Sequence, residues 1–293
     1  MIKEIEARLK LFSVISPGVL FWAEEVATRG AKDVYEAILE GARYLRHKDS
    51  NWLQNELSSL DLSHLQEELA TAKCEFITPD DLDWPASLDD LSLPPIGLLI
   101  KGDRKALLGI SNSISIVGSR QPSSYGIEVT KQVSKKFINA GFSIVSGGAY
   151  GIDTTAHSSA IANNGTTISV LAGGFNNLYP KENSRLFGKI CERGLLISEV
   201  MPNIKSQPFR FLIRNRLIAA ISKATVVVEA AYVSGSIRTA RDAAEILRPV
   251  FAVPGPITSP LSDGCHRLIA ERVAEIATSV DEILEMVLPL HLK

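Results

Sequence analysis

The stretch SISIVGSRQPSSYG, Ser113–Gly126, joins a short β-branched run to a glycine turn and the polar opening of a helix. Three other segments have the same form: FSIVSGGAYGID at Phe142–Asp153, TISVLAGGFNNLYPKEN at Thr167–Asn183 and TVVVEAAYVSGSIRTA at Thr225–Ala240. Strands of this kind belong to parallel sheets covered on both faces by helices. In such a sheet every strand-to-helix turn lies at the same carboxyl edge, where open α/β folds bind ligands. The four turns are therefore expected in one row, and a row suits a long phosphate-bearing ligand.

Strand and helix patterns alternate from Ser113 onward. Strands are expected near Ile114–Val117, Ser143–Val145, Thr167–Leu171, Leu195–Ser198, Thr225–Val228 and Val250–Val253. Helices are expected at Gly126–Ala140, Asp153–Asn163 and Thr239–Leu247, with an amphipathic piece at Val280–Val287. This alternation calls for right-handed crossovers and an α/β, doubly wound, mostly parallel sheet over residues 109–293. Residues 1–72 read as a small all-helical domain, with apolar spacing of three to four in Val19, Leu20, Ala23, Val26 and in Val34, Tyr35, Ile38, Leu39. Between them, 73–108 is a Pro- and Asp-rich connector and extension. In it Trp84 is expected to anchor on a neighbouring surface, and Ile96–Ile100 resembles a short strand.

At 293 residues and 45% hydrophobic, the chain is long enough for one large domain and a small one. A formal net charge of -2 excludes a wholesale basic protein, so an anionic partner has to be met by local placement of cations. Cys74, Cys191 and Cys265 stand far apart without a C-x-x-C pair, which points to buried thiols in a reducing compartment. No signal-peptide stretch follows Met1 and no run approaches the ~20 apolar residues of a membrane span, so the chain reads as cytoplasmic with no membrane partner.

The turns narrow the chemistry. Gly118 permits close backbone approach, Ser119 offers a hydroxyl and Arg120 a planar donor fork, all before a helix N-terminus that attracts anions. The G-S-R order is not the G-x-G-x-x-G of dinucleotide sites, and the P-loop, G-x-S-x-G and H-E-x-x-H patterns are missing. No cofactor, metal or catalytic set is expected. Asp153 and His157, four apart on one helical face, read either as a catalytic or metal pair or as a structural brace. Lys181 suits a point charge on phosphate, and Asn183 can bond phosphate, sugar or the local backbone. In KSQPFRFLIRNR, Lys205–Arg216, the cations Arg210, Arg214 and Arg216 interleave with Phe209 and Phe211. That is the recipe for single-stranded nucleic acid, where stacking is worth ~1–3 kcal/mol per base. The same phenylalanines with Leu212 also suit a core, with one arginine bracing the loop. The SGSIRTA turn, Ser234–Ala240, leaves amides for an anion or for a facing turn.

Taken in order, these motifs resemble the DprA/Smf family of DNA-processing proteins. The resemblance rests on IVGSR with Tyr125-Gly126, SGGAYGID with Ala156-His157, the GG…YPKEN loop, Ile197–Glu199, RNRLIAA at Arg214–Ala220, VVVEA at Val226–Ala230, SGSIRTA, VFAVPG at Val250–Gly255 and GCHRLI at Gly264–Ile269. It implies a Rossmann-like, non-enzymatic protein that binds and protects single-stranded DNA and helps load the RecA recombinase, notably in natural transformation. A homodimer through the Rossmann-like domain is implied, with a helical N-terminal domain of the SAM or helix-hairpin-helix kind. By motif, Arg120 and Lys181 look like DNA-backbone contacts. Gly118, Ser119, Gly147, Gly148 and Asn183 would shape or line the same pocket. Arg214, Asn215 and Arg216 match the arginine-asparagine-arginine motif, as DNA contacts or as braces of the loops. The chain departs from the family's usual phenylalanine-proline before that motif, having Phe211-Leu212-Ile213 instead. The winged-helix-like C-terminal domain of some members is not expected. The competing reading is a small-nucleotide sensor or nucleotide-cleaving enzyme on a related Rossmann-like fold. Its proline-glycine-glycine-x-glycine-threonine motif is replaced here by Val233-Ser234-Gly235-Ser236.

Overall fold

The β-branched runs form strands because nothing around them is wet. Every residue of β3 (Ser113–Val117), β4 (Ser143–Ser146), β5 (Thr167–Leu171), β6 (Leu195–Ser198), β7 (Ala224–Val227) and β8 (Val250–Ala252) is buried in the computed structural model, which describes residues 2–41 and 50–288. With β1 (Glu75–Ile77), β2 (Leu98–Gly102) and β9 (Glu275–Ile276) they make one sheet, ordered β1-β2-β6-β5-β4-β3-β7-β8-β9. From β6 to β9 all neighbours are parallel, while β2 runs antiparallel to both β1 and β6. The chain leaves β3 toward β4 on one side, and β7 later pairs with β3 on the other. The carboxyl ends of β3 and β7 therefore flank the switch point at which doubly wound sheets open a crevice.

Helices cover both faces. On one, α9 (Pro208–Ile221), α10 (Gly235–Glu245) and α11 (Asp263–Ala270) pack their apolar stripes on the sheet through Leu217, Ile218, Ile221, Ala240 and Leu268. On the other lie α6 (Ser124–Asn139), α7 (Ile152–Ala162) and α12 (Val280–Val287), whose Val133, Phe137, Ala156, Ala160 and Ile283 meet Ile114, Ile116 and Ile144. Next to α7, α8 (Ser184–Arg193) buries Phe187 and Ile190 against Leu171 and Leu196. Helix α10 starts four residues before the expected Thr239 because Ser234 caps it, its hydroxyl facing the Ile237 amide at 3.5 Å. It ends before Leu247, which takes a left-handed φ of 58°.

The N-terminal segment folds as α1 (Glu4–Val14), α2 (Leu20–Arg29), α3 (Ala31–Leu39), α4 (Ser50–Ser59) and α5 (Leu62–Ala72). Residues 1, 42–49 and 289–293 of the expected domains lie outside the described residues. The Glu4 carboxylate accepts from the Ala31 and Lys32 amides at 2.7 and 2.8 Å, so α1 neutralises the N-terminus of α3. Helix α1 serves two cores. Ala7 and Leu11 face the helical cluster, whereas Leu9 and Phe12, with Leu65 and Leu69 of α5, join the cluster around Leu99, Leu171 and Phe187 of the large domain. The Pro17–Gly18 turn rests on α9, an ideal Cβ on Gly18 lying 3.1 Å from Ile213 Cγ2.

The connector is more ordered than its Pro and Asp content implies. It supplies β1 and β2, and Arg104 gathers its acids, donating to Asp83 at 2.7 Å, Asp81 at 2.9 Å and Glu75 at 2.8 Å. Trp84 is half-buried against the core under α9 and α10.

Candidate nucleic-acid interface

The four glycine turns do fall in a row, since β5, β4, β3 and β7 are consecutive in the sheet. They are locked to each other by backbone contacts that leave no room for side chains. An ideal Cβ on Gly118 would lie 2.6 Å from Ile152 and 2.9 Å from the Glu229 carbonyl. Ser119 donates its amide to that carbonyl at 2.6 Å and accepts from the Ile152 amide at 3.1 Å. Gly148, at φ +70°, lies against Ser169 and Phe187, where a side chain would clash at 2.7 and 2.6 Å.

Two helix N-termini at this edge are already occupied by the chain's own carboxylates. Glu229, buried at the end of β7, accepts from the Ser123 amide at 2.9 Å and the Ser123 hydroxyl at 2.5 Å, at the start of α6. Asp153 accepts from the Gly147 and Ala149 amides at 3.1 and 3.2 Å, in the turn before α7. Asp153 is a structural brace in this arrangement. Its helical neighbour His157 bonds Thr167 Oγ1 at 2.7 Å and has no access to solvent. Among the described residues no group of three or more His, Cys, Asp and Glu side chains could hold a metal ion.

The arginine-asparagine-arginine segment is inside the protein. Arg214 donates to the Gly147 carbonyl at 2.7 Å and to the Val170 carbonyl, Asn215 to the Gly235 carbonyl at 3.1 Å, and Arg216 to Glu199 at 2.6 Å. Burial pushes the Asp153 and Glu199 carboxyls up, and pushes the Arg214 guanidinium down to about 10. Asn183 is buried as well and ties the third turn to the second, donating to the Gly148 carbonyl at 3.0 Å and to Thr154 Oγ1 at 2.8 Å. Of the ten candidate residues, Gly147, Gly148, Asn183, Arg214, Asn215 and Arg216 are thus buried, and Arg216 lies away from the clefts described next.

What remains outside is a cleft of about 700 Å³ at the switch point. Gly118, Ser119 and Arg120 form one wall, Ser234–Ser236 and Thr239 at the start of α10 the other, with Arg214 and Asn215 in the floor. A second cleft of about 600 Å³ adjoins it, sharing Tyr179 and Ser206 and bordered by Lys181, Ser184 and Lys205. Phe211 lines the first cleft and gathers aromatic and cationic neighbours. Tyr179 packs edge-on against it at 5.6 Å, and the guanidinium groups of Arg120 and Arg214 lie 5.5 and 5.8 Å from its ring centre. Arg120, Lys181 and Lys205 are exposed. Sequence reasoning named Phe211 only as one phenylalanine among several and gave Glu229 no role; a lone acid ending the apolar run VVVE was its available signal. It also missed that Tyr150, exposed in the second turn, donates its hydroxyl to Glu182 beside Lys181.

The family described as DNA recombination-mediator protein A matches residues 75–288. The chain belongs to that family. Among curated members of this recombination-mediator family, the DNA processing protein DprA of Mycobacterium tuberculosis is 39% identical over 222 residues, 72% of this chain and 57% of that protein. The DprA of Bacillus subtilis is 40% identical over 202 residues, 69% of this chain and 67% of that one. The chain thus spans little more than half of the longer member. Among solved structures, DprA from Streptococcus pneumoniae superposes with a TM-score of 0.83 at 32% identity, covering 97% of this chain and 98% of that chain. A structure described as showing the single-stranded DNA binding mode of DprA from Helicobacter pylori superposes with a TM-score of 0.66 at 28% identity, covering 74% of this chain and 97% of that chain. No helix among the described residues is long and apolar enough to cross a membrane.

Proposed function

We propose that this chain binds single-stranded DNA through its phosphate backbone, protects it, and delivers it to the RecA recombinase during natural transformation or related recombination. It does so in the cytoplasm, as a homodimer and without catalysing a reaction. The observation that supports this reading is the division of charge at the sheet edge. The backbone amides that would seat a small anionic group before α6 and α7 hold Glu229 and Asp153 instead. The exposed cations Arg120, Lys181 and Lys205 stand outside them, beside the exposed ring of Tyr179. Cations along a groove with an aromatic face suit a strand whose phosphates are neutralised one by one while its bases stack or stay free. The Helicobacter pylori relative, whose structure is described by its single-stranded DNA binding mode, supports the same class of ligand.

The competing reading, a nucleotide sensor or nucleotide-cleaving enzyme, keeps one observation in its favour. Ser234–Ser236 at the start of α10 border a cleft large enough for a nucleotide. Fluorescence anisotropy with matched single- and double-stranded oligonucleotides at two salt concentrations separates the two. Expected is a salt-sensitive preference for single strands, abolished by Arg120→Glu and by Lys181→Glu in folded protein. No binding at low salt, or binding indifferent to both reversals, overturns the DNA reading in favour of the nucleotide one.

A further inference from the structure

Helix α8 follows directly from the Lys181 turn, and its solvent face carries Arg185, Lys189 and Arg193, all exposed and each four residues after the last. Lys181 itself stands four residues before Arg185, so four cations follow one another at one spacing. Four helical residues rise about 6 Å and return to nearly the same side, drifting by about 40°. That rise is on the order of the step between neighbouring phosphates of an extended strand. Among the described residues neither Arg185 nor Lys189 forms an ion pair, and Arg193 donates only to the neutral Asn164 amide oxygen at 3.0 Å.

Two further features favour a long anion here. The neighbouring helix, α7, has Asp153 and His157 as its only ionisable residues, and both are buried. Its exposed surface repels nothing. At the far end of α8 a third concavity of about 240 Å³ is bordered by Lys189 and Arg193 together with one acid, Glu192. The acids on this face are Glu182, tied to Tyr150, and Glu192.

We infer that the α8 stripe Arg185–Lys189–Arg193 is an extension of the DNA track, carrying a single strand from the Lys181 cleft across the helix toward the opposite edge of the sheet. This rests on the proposed single-strand binding and adds about three phosphates to it. Short strands fill the clefts alone; longer ones also lie on α8.

The test is equilibrium binding of a ~6-nucleotide and a ~20-nucleotide oligothymidylate, one near the lower end of the ~4–16-nucleotide footprints of single-strand grooves and one beyond their upper end. Wild type is compared with the triple variant Arg185→Gln, Lys189→Gln, Arg193→Gln. The long strand is expected to bind on the order of tenfold to a hundredfold more weakly to the variant, with a log-log salt slope shallower by about 2, from ~0.7 per phosphate. Binding of the short strand is expected to be unchanged. The single variant Lys189→Gln, should the triple one fold poorly, is expected to lose about 0.7 of the slope for the long strand alone. Equal weakening of both lengths, or of neither, overturns the extension while leaving the cleft assignment to stand on Arg120 and Lys181. Failure of wild type to bind either length overturns both.

Discussion

Lowering the pH should unfold this protein through one buried imidazole. His157 on α7 is fully buried, with Nδ1 2.7 Å from Thr167 Oγ1. The Thr167 hydroxyl donates its own proton to the Ile144 carbonyl at 2.8 Å, so Nδ1–H must be the donor to Thr167 and the proton-free nitrogen is Nε2. Nε2 is buried and has no hydrogen-bond partner in the protein. Protonating it would place a charge in a dry site with the Arg214 guanidinium nearby, and burial, aided by that guanidinium, holds the imidazole down at about 3 against an ordinary 6.5. Because the folded value is the lower one, the stabilisation is complete above pH 6.5 and is lost as the pH falls toward 3. Between pH 7 and pH 4 the unfolded chain gains a proton that the folded chain refuses over rather more than two pH units, at about 1.4 kcal/mol per unit. The loss is about 3 kcal/mol. The assay is urea unfolding of wild type and of His157→Asn, whose amide can still donate to Thr167, at steps from pH 7 to pH 4. The variant starts less stable through lost packing, and its curve is expected to be flatter by that amount. The carboxyls that burial pushes up, Asp153 and Glu199, act with the opposite sign in both proteins and cancel in the comparison. Parallel curves would refute the assignment of His157 as a neutral brace.

Two glycines should respond to alanine with opposite signs. Gly188, inside α8 with open space where a Cβ would stand, is expected to gain about 0.5–1 kcal/mol as alanine, whereas at Gly126 the new Cβ would stand 2.2 Å from Glu229 Oε2 and cost about 1–3 kcal/mol. Urea midpoints moving the same way in both would refute the packing at α6. Glu199→Gln leaves the buried Arg216 without its charge partner and is expected to destabilise by about 3–5 kcal/mol, with much of the loss recovered when Arg216→Met is combined with Glu199→Met. A loss below about 1 kcal/mol in the single variant would contradict the pairing.

The central strands were legible because a strand buried on both faces reads as a short, nearly continuous apolar run, rich in Ile, Val and Thr in β3, β4, β5 and β7 and in Leu in β6. The strands β1 and β9 were not. They have three and two residues, with burial that is partial in one and absent in the other, so neither presents a pattern to read. The turns were legible through glycine, because a backbone that meets another backbone excludes Cβ, as at Gly118. What could not be read was direction. Arg214 and Arg216 stand two residues apart on α9, nominally about 200° around the helix. Spacing alone would turn one inward and the other outward. Instead α9 is covered from Arg214 through Ile221, and both arginines end on internal acceptors. A motif of cations in sequence is therefore not a cationic surface in space.

The same distinction bears on what the edge can bind. In a dinucleotide-binding sheet the first helix N-terminus and its glycine turn are left open for pyrophosphate. Here Glu229 occupies that position, and Gly126 is close enough to it that a Cβ would lie 2.2 Å from the carboxylate. A phosphate seated there would have to displace a buried anion bonded to the Ser123 amide and hydroxyl. Like charges exclude each other at that distance, and the loss of both hydrogen bonds would add to the penalty. The affinity left to this edge lies one layer further out, in flexible side chains. Cations on side chains neutralise phosphates without fixing where along a strand they lie. A sheet edge plugged by its own carboxylates and rimmed by Arg120, Lys181 and Lys205 is thus suited to a polymer with many equivalent phosphates, and poorly suited to selecting one small nucleotide.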